Sequence, residues 1–211
     1  MTVKVKICGI NDSVGFDTAA EAGADWIGFN FFPPSPRVVT PHQAAALSGR
    51  LHGGPVRVGL FVDPTDDLIA SVLDAVPLQV LQVYGAGIDP ARLRDRFHLP
   101  VWRPVGVSTP ADLPNSGFGA DALLLEAKPP PDATRPGGNA VSFDWSILHG
   151  WAAAARWLLA GGLTPGNVAE AIRLTGAMAV DVSSGVEMAK GRKDPAMIRA
   201  FIDQAKGTPA G

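Results

Sequence analysis

Eight short apolar runs alternate along this chain with eight amphipathic stretches, and that alternation limits the folds open to it more than any other feature. The runs are 3–8 (VKVKIC), 25–31, 56–62, 79–84, 100–105, 121–126, 156–160 and 178–182. The intervening patterns predict helices over 12–22, 41–51, 65–75, 89–97, 109–115, 144–153, 165–175 and 194–205. Asp12, Thr40-Pro41 and Thr164-Pro165 supply start signals for three of them: a capping side chain, in two cases with proline at the first helical position. Eight strand–helix units in 211 residues match a minimal (β/α)8 TIM barrel, whereas an open doubly wound sheet usually has five to seven strands. No linker divides the chain, so a single domain over 1–211 is expected. The long irregular stretch 127–143 (AKPPPDATRPGGNAVSF) is expected to act as an active-site loop.

Strand parity then sorts the side chains. In 3–8, Val3, Val5 and Ile7 belong under the helices, which leaves Lys4, Lys6 and Cys8 facing the barrel interior. The same rule turns Gln82, Tyr84, Glu126 and Asp181 inward near the C-terminal ends of their strands, where barrels of this kind carry their chemistry.

Composition removes other readings. A net charge of −2 gives no electrostatic case for nucleic acid or an anionic membrane. No apolar run approaches the roughly 18 residues of a membrane span, and the N-terminus lacks the zones of a secretory signal. One cysteine cannot make an internal disulfide, which fits a reducing cytoplasm. His42, His52, His98 and His149 are scattered singly, and with no CxxC or HExxH pattern no metal site is expected.

Cys8 reads either as a small buried hydrophobe or as a nucleophile or base whose thiolate is favoured by Lys6 on the same face. Glu126 ends the run ALLL; it either reaches solvent or, partly buried, serves as a general acid. Asp181 either orients the loop after it, holds a lysine, or takes part directly. The segments LLAGGLTPGNV (158–168) and VDVSSGVE (180–187) follow strands 7 and 8, the usual phosphate site of the fold. With no GxxxxGK[ST], they do not form a nucleotide P-loop. In FFPPSPRVVT (31–40), Arg37 is either an idle surface charge or a bidentate clamp for a carboxylate.

Together KICGI (6–10), GADWIGF (23–29), PSPR (34–37), VGLFV (58–62), FDW (143–145), AGGLTPGNV (160–168), VDVSSGVE (180–187) and KGRKD (190–194) resemble the phosphoribosylanthranilate isomerase family of tryptophan biosynthesis. The likeness runs from residue 3 to about 203 in the family's order. It implies an Amadori rearrangement of a phosphosugar, without cofactor or metal; the sequence leaves monomer and homodimer both open. It also implies Cys8 as base, Glu126 as acid and Arg37 on the anthranilate carboxylate. Gly161, Gly162, Ser183, Ser184 and Gly185 would hold the phosphate, and Lys6, Gln82 and Asp181 would line the substrate. Three departures accompany it: Glu126 where the family usually has Asp, LQVYG (81–85) for LQLHG, and GGNA (137–140) for GGTG. They keep open a diverged isomerase or lyase for another phosphosugar, and a non-catalytic phosphosugar-binding relative.

Overall fold

The computed structural model describes residues 2–128 and 142–209. Its parallel strands close into one barrel in sequence order: β1 (Lys4–Cys8), β2 (Trp26–Asn30), β3 (Val56–Val62), β4 (Val80–Tyr84), β5 (Val101–Val107), β6 (Ala122–Ala127), β7 (Trp157–Leu159) and β8 (Ala179–Val182). β8 returns to β1 with Lys6 opposite Asp181, so the ring has no open edge. The expected single-domain loop 127–143 falls mostly outside the described residues, as does the GGNA segment.

Parity decides the packing as the alternation requires. Val3, Val5, Ile7, Leu81, Val83, Leu123, Leu125, Val180 and Val182 lie in the large core between barrel and helices. Val80, Trp102, Ala122, Leu124, Leu158 and Ala179 pack with Cys8 inside the barrel. Lys4 shares the inward parity of Lys6, but it sits at the first position of its strand, where it is exposed and bonds Asp25 at 2.7 Å. The N-terminal part of the interior is filled by Trp26 and Trp102, edge to face with ring centroids 5.3 Å apart.

Four helices separate the first five strands: α1 (Ser13–Glu21), α2 (Pro41–Ser48), α3 (Asp66–Ala75) and α4 (Pro90–Phe97). The start signals act as expected at two sites: Asp12 accepts from Gly15 N, and Thr40 forms a full capping box with Gln43. The helices expected over 109–115 and 144–153 are only 3-10 turns, Pro110–Asp112 and Trp145–Leu148. Pro114 forces Leu113 into an extended conformation, which ends the first, and Gly150 at φ +75° interrupts the second. The helix expected from 165 instead begins as α5 (Val168–Thr175); Asn167 stands at its N-cap position without a side-chain cap bond, its Oδ1 accepting from Thr164 N in the preceding loop. α6 (Pro195–Gly207) closes the chain against α1 and α5. A short antiparallel hairpin, β9 (Glu187–Ala189) with β10 (Arg192–Lys193), lies between β8 and α6.

Pro104 leaves its mark on the barrel. The β4–β5 ladder stops after Gln82 opposite Trp102, while β5 remains paired with β6 as far as Val107 opposite Ala127. A residue with no N–H is tolerated in a central strand only where one ladder ends. The upper part of β5 therefore offers Pro104 and Gly106 beside β4, with little side-chain bulk.

Candidate active site at the C-terminal end of the barrel

Lys6 is wholly buried, and its Nζ donates to Asp181 Oδ1 at 2.8 Å, a contact set by the register that pairs the two residues across β1 and β8. Gly28 lies opposite Cys8 on β2; a methyl group there would stand 3.2 Å from Lys6 Nζ and 3.3 Å from Cys8 Cα. Burial alone would pull the lysine pKa down, but Asp181 and Cys8 outweigh it, and the net direction is up. Asp181 thus holds a lysine, one of the roles open to it from sequence.

Cys8 is 6% exposed. Its pKa lies above the ordinary thiol value because burial and the nearby Asp181 charge outweigh the pull of Lys6 and Lys193. The expectation that Lys6 raises the thiolate fraction above that of a free thiol is corrected here: Lys6 does act in that direction, but burial, with the Asp181 charge, outweighs it. Glu126 does not reach into solvent; it is 8% exposed, and its pKa is pushed up to about 8. Burial is the main cause and the Asp181 charge adds to it, against the opposing pull of a Tyr84 hydrogen bond and of Lys6. Gln82 is fully buried and donates from Nε2 to Tyr84 Oη at 3.3 Å, while its Oε1 has no partner among the described residues.

Arg37 is not the surface charge that one of its readings supposed. It is 4% exposed and makes a bidentate pair with Glu187, Nε to Oε1 at 2.5 Å and Nη2 to Oε2 at 3.0 Å. Lys193 donates to the same carboxylate at 3.0 Å, and also to Ser183 O at 2.8 Å. Burial tends to raise the Glu187 carboxyl, yet these two cations hold it down at about 2. Glu187 and Lys193 were not singled out from sequence. They lie in stretches that carried the resemblance, but strands of two and three residues are too short to announce a hairpin.

The two glycine-bearing loops meet. Gly161 and Gly162 both have positive φ, +81° and +67°, and their N–H groups have no backbone partner among the described residues. Gly185 approaches so closely that an added Cβ would lie 1.8 Å from Leu163 O. Ser183 donates from Oγ to Cys8 O at 3.1 Å, tying this loop to the end of β1. The structure therefore gathers Lys6, Cys8, Gln82, Glu126 and Asp181 at the inner face of one barrel end. Arg37 and the 161–162 and 183–185 loops belong to the same end. Among the described residues, no cluster of His, Cys, Asp and Glu has the arrangement of a metal site.

The chain is similar to known proteins along nearly its whole length. The family model for N-(5'-phosphoribosyl)anthranilate (PRA) isomerase matches residues 5–204. The N-(5'-phosphoribosyl)anthranilate isomerase of Paramagnetospirillum magneticum is 54% identical over 213 residues, spanning 98% of this chain and 99% of its own length. The phosphoribosyl anthranilate isomerase structure from Thermotoga maritima superposes with a TM-score of 0.85 at 37% identity, covering 97% of this chain and 99% of that one. A structure of such an isomerase in complex with reduced 1-(o-carboxyphenylamino)-1-deoxyribulose 5-phosphate superposes at 0.82 with 35% identity and the same coverage. On the strength of a match across nearly its whole length, the chain belongs to the N-(5'-phosphoribosyl)anthranilate isomerase family.

Proposed function

We propose that Glu126 and Cys8 are the acid and base by which this isomerase converts N-(5-phosphoribosyl)anthranilate to its 1-deoxyribulose 5-phosphate ketone. One observation carries the assignment: a carboxyl that keeps its proton to about pH 8 faces the same interior as a buried thiol. Glu126 gives its proton to the ribose ring oxygen, the C1–O bond breaks, and the nitrogen lone pair forms the iminium. Cys8, as thiolate, takes the proton from C2, and the C2–H electrons move through C1 to quench the iminium. The enolamine that results tautomerises to the ketone. Oxidation at C2 is balanced by reduction at C1, so neither electrons nor a cofactor need to be supplied.

The remaining residues bind. Gly161, Gly162, Ser183, Ser184 and Gly185 hold the phosphate with backbone N–H and hydroxyl donors, as suits an anion at paired loops. Lys6, fixed by Asp181, stays charged beside the sugar. Gln82 Oε1, buried and without a partner among the described residues, is the acceptor assigned to a sugar hydroxyl. Arg37, with Nε and Nη2 on Glu187, keeps Nη1 for the anthranilate carboxylate. The pairing with Glu187 fixes the guanidinium plane before substrate arrives, which lowers the ordering cost of binding.

Purified protein mixed with the substrate is expected to quench its anthranilate fluorescence. Cys8→Ala and Glu126→Ala are each expected to lower kcat by about 100-fold or more. Silence from folded wild-type protein rejects the activity; an unimpaired Glu126→Ala removes the acid assignment.

A further inference from the structure

We propose that Lys193 is a positioning residue that sets specificity: by sharing the Glu187 carboxylate with Arg37 it leaves this buried cluster one positive charge in excess, and the excess selects an aminoaldose whose aromatic ring bears a carboxylate. The inference rests on the isomerase reading of the site and adds to it what makes Arg37 available to an anion.

Arg37 with Glu187 alone would be a neutral pair, with no net charge to offer a second carboxylate. Two cations meet there instead. Glu187 Oε1 accepts from Arg37 Nε at 2.5 Å and from Lys193 Nζ at 3.0 Å. Its Oε2 accepts from Arg37 Nη2 at 3.0 Å and from the Gly191 N–H at 3.0 Å. These four donors fill the acceptor positions of one carboxylate. Among the described residues, Glu187 is the only ion-pair partner of either cation. The side chains of Arg37, Lys193 and Glu187 are 4%, 0% and 5% exposed, so water screens the unbalanced charge weakly.

The cluster is held in place from several sides. Lys193 Nζ also donates to Ser183 O at 2.8 Å and to Ser183 Oγ at 3.3 Å. With Glu187 that makes three acceptors, which the three hydrogens of an ammonium can serve and the two of a neutral amine cannot. Burial, with the Arg37 charge, pulls the lysine pKa below its ordinary value against the attraction of Glu187 and Cys8. A second carboxylate at the cluster supplies the charge that is missing. The Arg37 side chain lies across Gly9, where an added Cβ would stand 2.5 Å from Arg37 Cδ. The turn of the β9–β10 hairpin is wedged beside it: a Cβ at Gly191 would collide with Pro36 O, and Asn11 Nδ2 donates to Gly191 O at 3.0 Å. The guanidinium therefore keeps its plane, and its remaining nitrogen, Nη1, carries the excess charge to the substrate.

The test uses two probes made by reductive amination of ribose 5-phosphate, one with anthranilate and one with aniline, which differ only in the ring carboxylate. Their dissociation constants are measured by calorimetry on wild type, Lys193→Met and Lys193→Gln, alongside turnover of the substrate by wild type. Wild type is expected to prefer the carboxylated probe by well over about tenfold, and each variant to reduce that preference at least about tenfold. Lys193→Gln keeps a donor toward Ser183 and Glu187, so its reduced preference follows the charge rather than the bond, and it decides the matter if Lys193→Met does not fold. Equal weakening of both probes marks a merely structural role through Ser183 and overturns the proposal. Equal binding of the two probes by wild type overturns it as well, with no variant needed. A preference that falls in the variants while wild type turns over no substrate overturns the isomerase reading and leaves the charge selection supported.

Discussion

At the scale of single residues, the site stores two protons where its chemistry needs one. Cys8 lies above the ordinary thiol value, and Glu126 holds its proton to about pH 8. In the proposed mechanism the working form is thiolate with carboxylic acid. Below pH 8 both groups are protonated, and that form grows about tenfold per pH unit as the thiol ionises. Above 8 the carboxyl also ionises, and the gain stops. We therefore expect kcat/KM to rise with pH through neutrality and to bend near 8, as measured on initial rates in a constant-ionic-strength buffer series. A flat profile from pH 6 to 8 contradicts this order of ionisation. Sequence parity placed both groups correctly, yet it could not weigh burial against Lys6. That balance depends on Asp181, which is 173 positions after Cys8 and becomes its neighbour only when β8 closes on β1.

Among the elements, the loops after β7 and β8 act as one unit because Gly185 packs its backbone on Leu163. A methyl group at 185 forces the two loops apart. Gly185→Ala is expected to raise KM on the order of tenfold or more, the weight of one lost charge-assisted bond to phosphate. Gly207→Ala, where an added methyl meets nothing, is expected to leave KM unchanged. Steady-state kinetics on the two variants distinguish the outcomes. The glycines were legible because paired turns after strands 7 and 8 stand out in any reading of the alternation. Helices at 109–115 and 144–153 were read from their place in that alternation, and Pro114 and Gly150 prevailed over it. The β9–β10 hairpin was hidden because two or three residues carry no period, although it supplies Lys193 and Glu187 to the Arg37 cluster.

For the whole molecule, the alternation was enough to reach the closed barrel because each strand repeats the same division between an interior face and a helix-covered face. What fills the interior was less apparent. Trp26 and Trp102 come from β2 and β5, and nothing in the local pattern of either strand announces that their indoles meet. Trp102 is 6% exposed, so Trp102→Ala opens a void at the barrel axis and is expected to cost about 3–5 kcal/mol, read from urea unfolding. The same pair of indoles makes the barrel a cup rather than a tube. Whatever enters to react must leave by the rim it came in through, so the newly made ketone stands in the path of the next aldose until it departs.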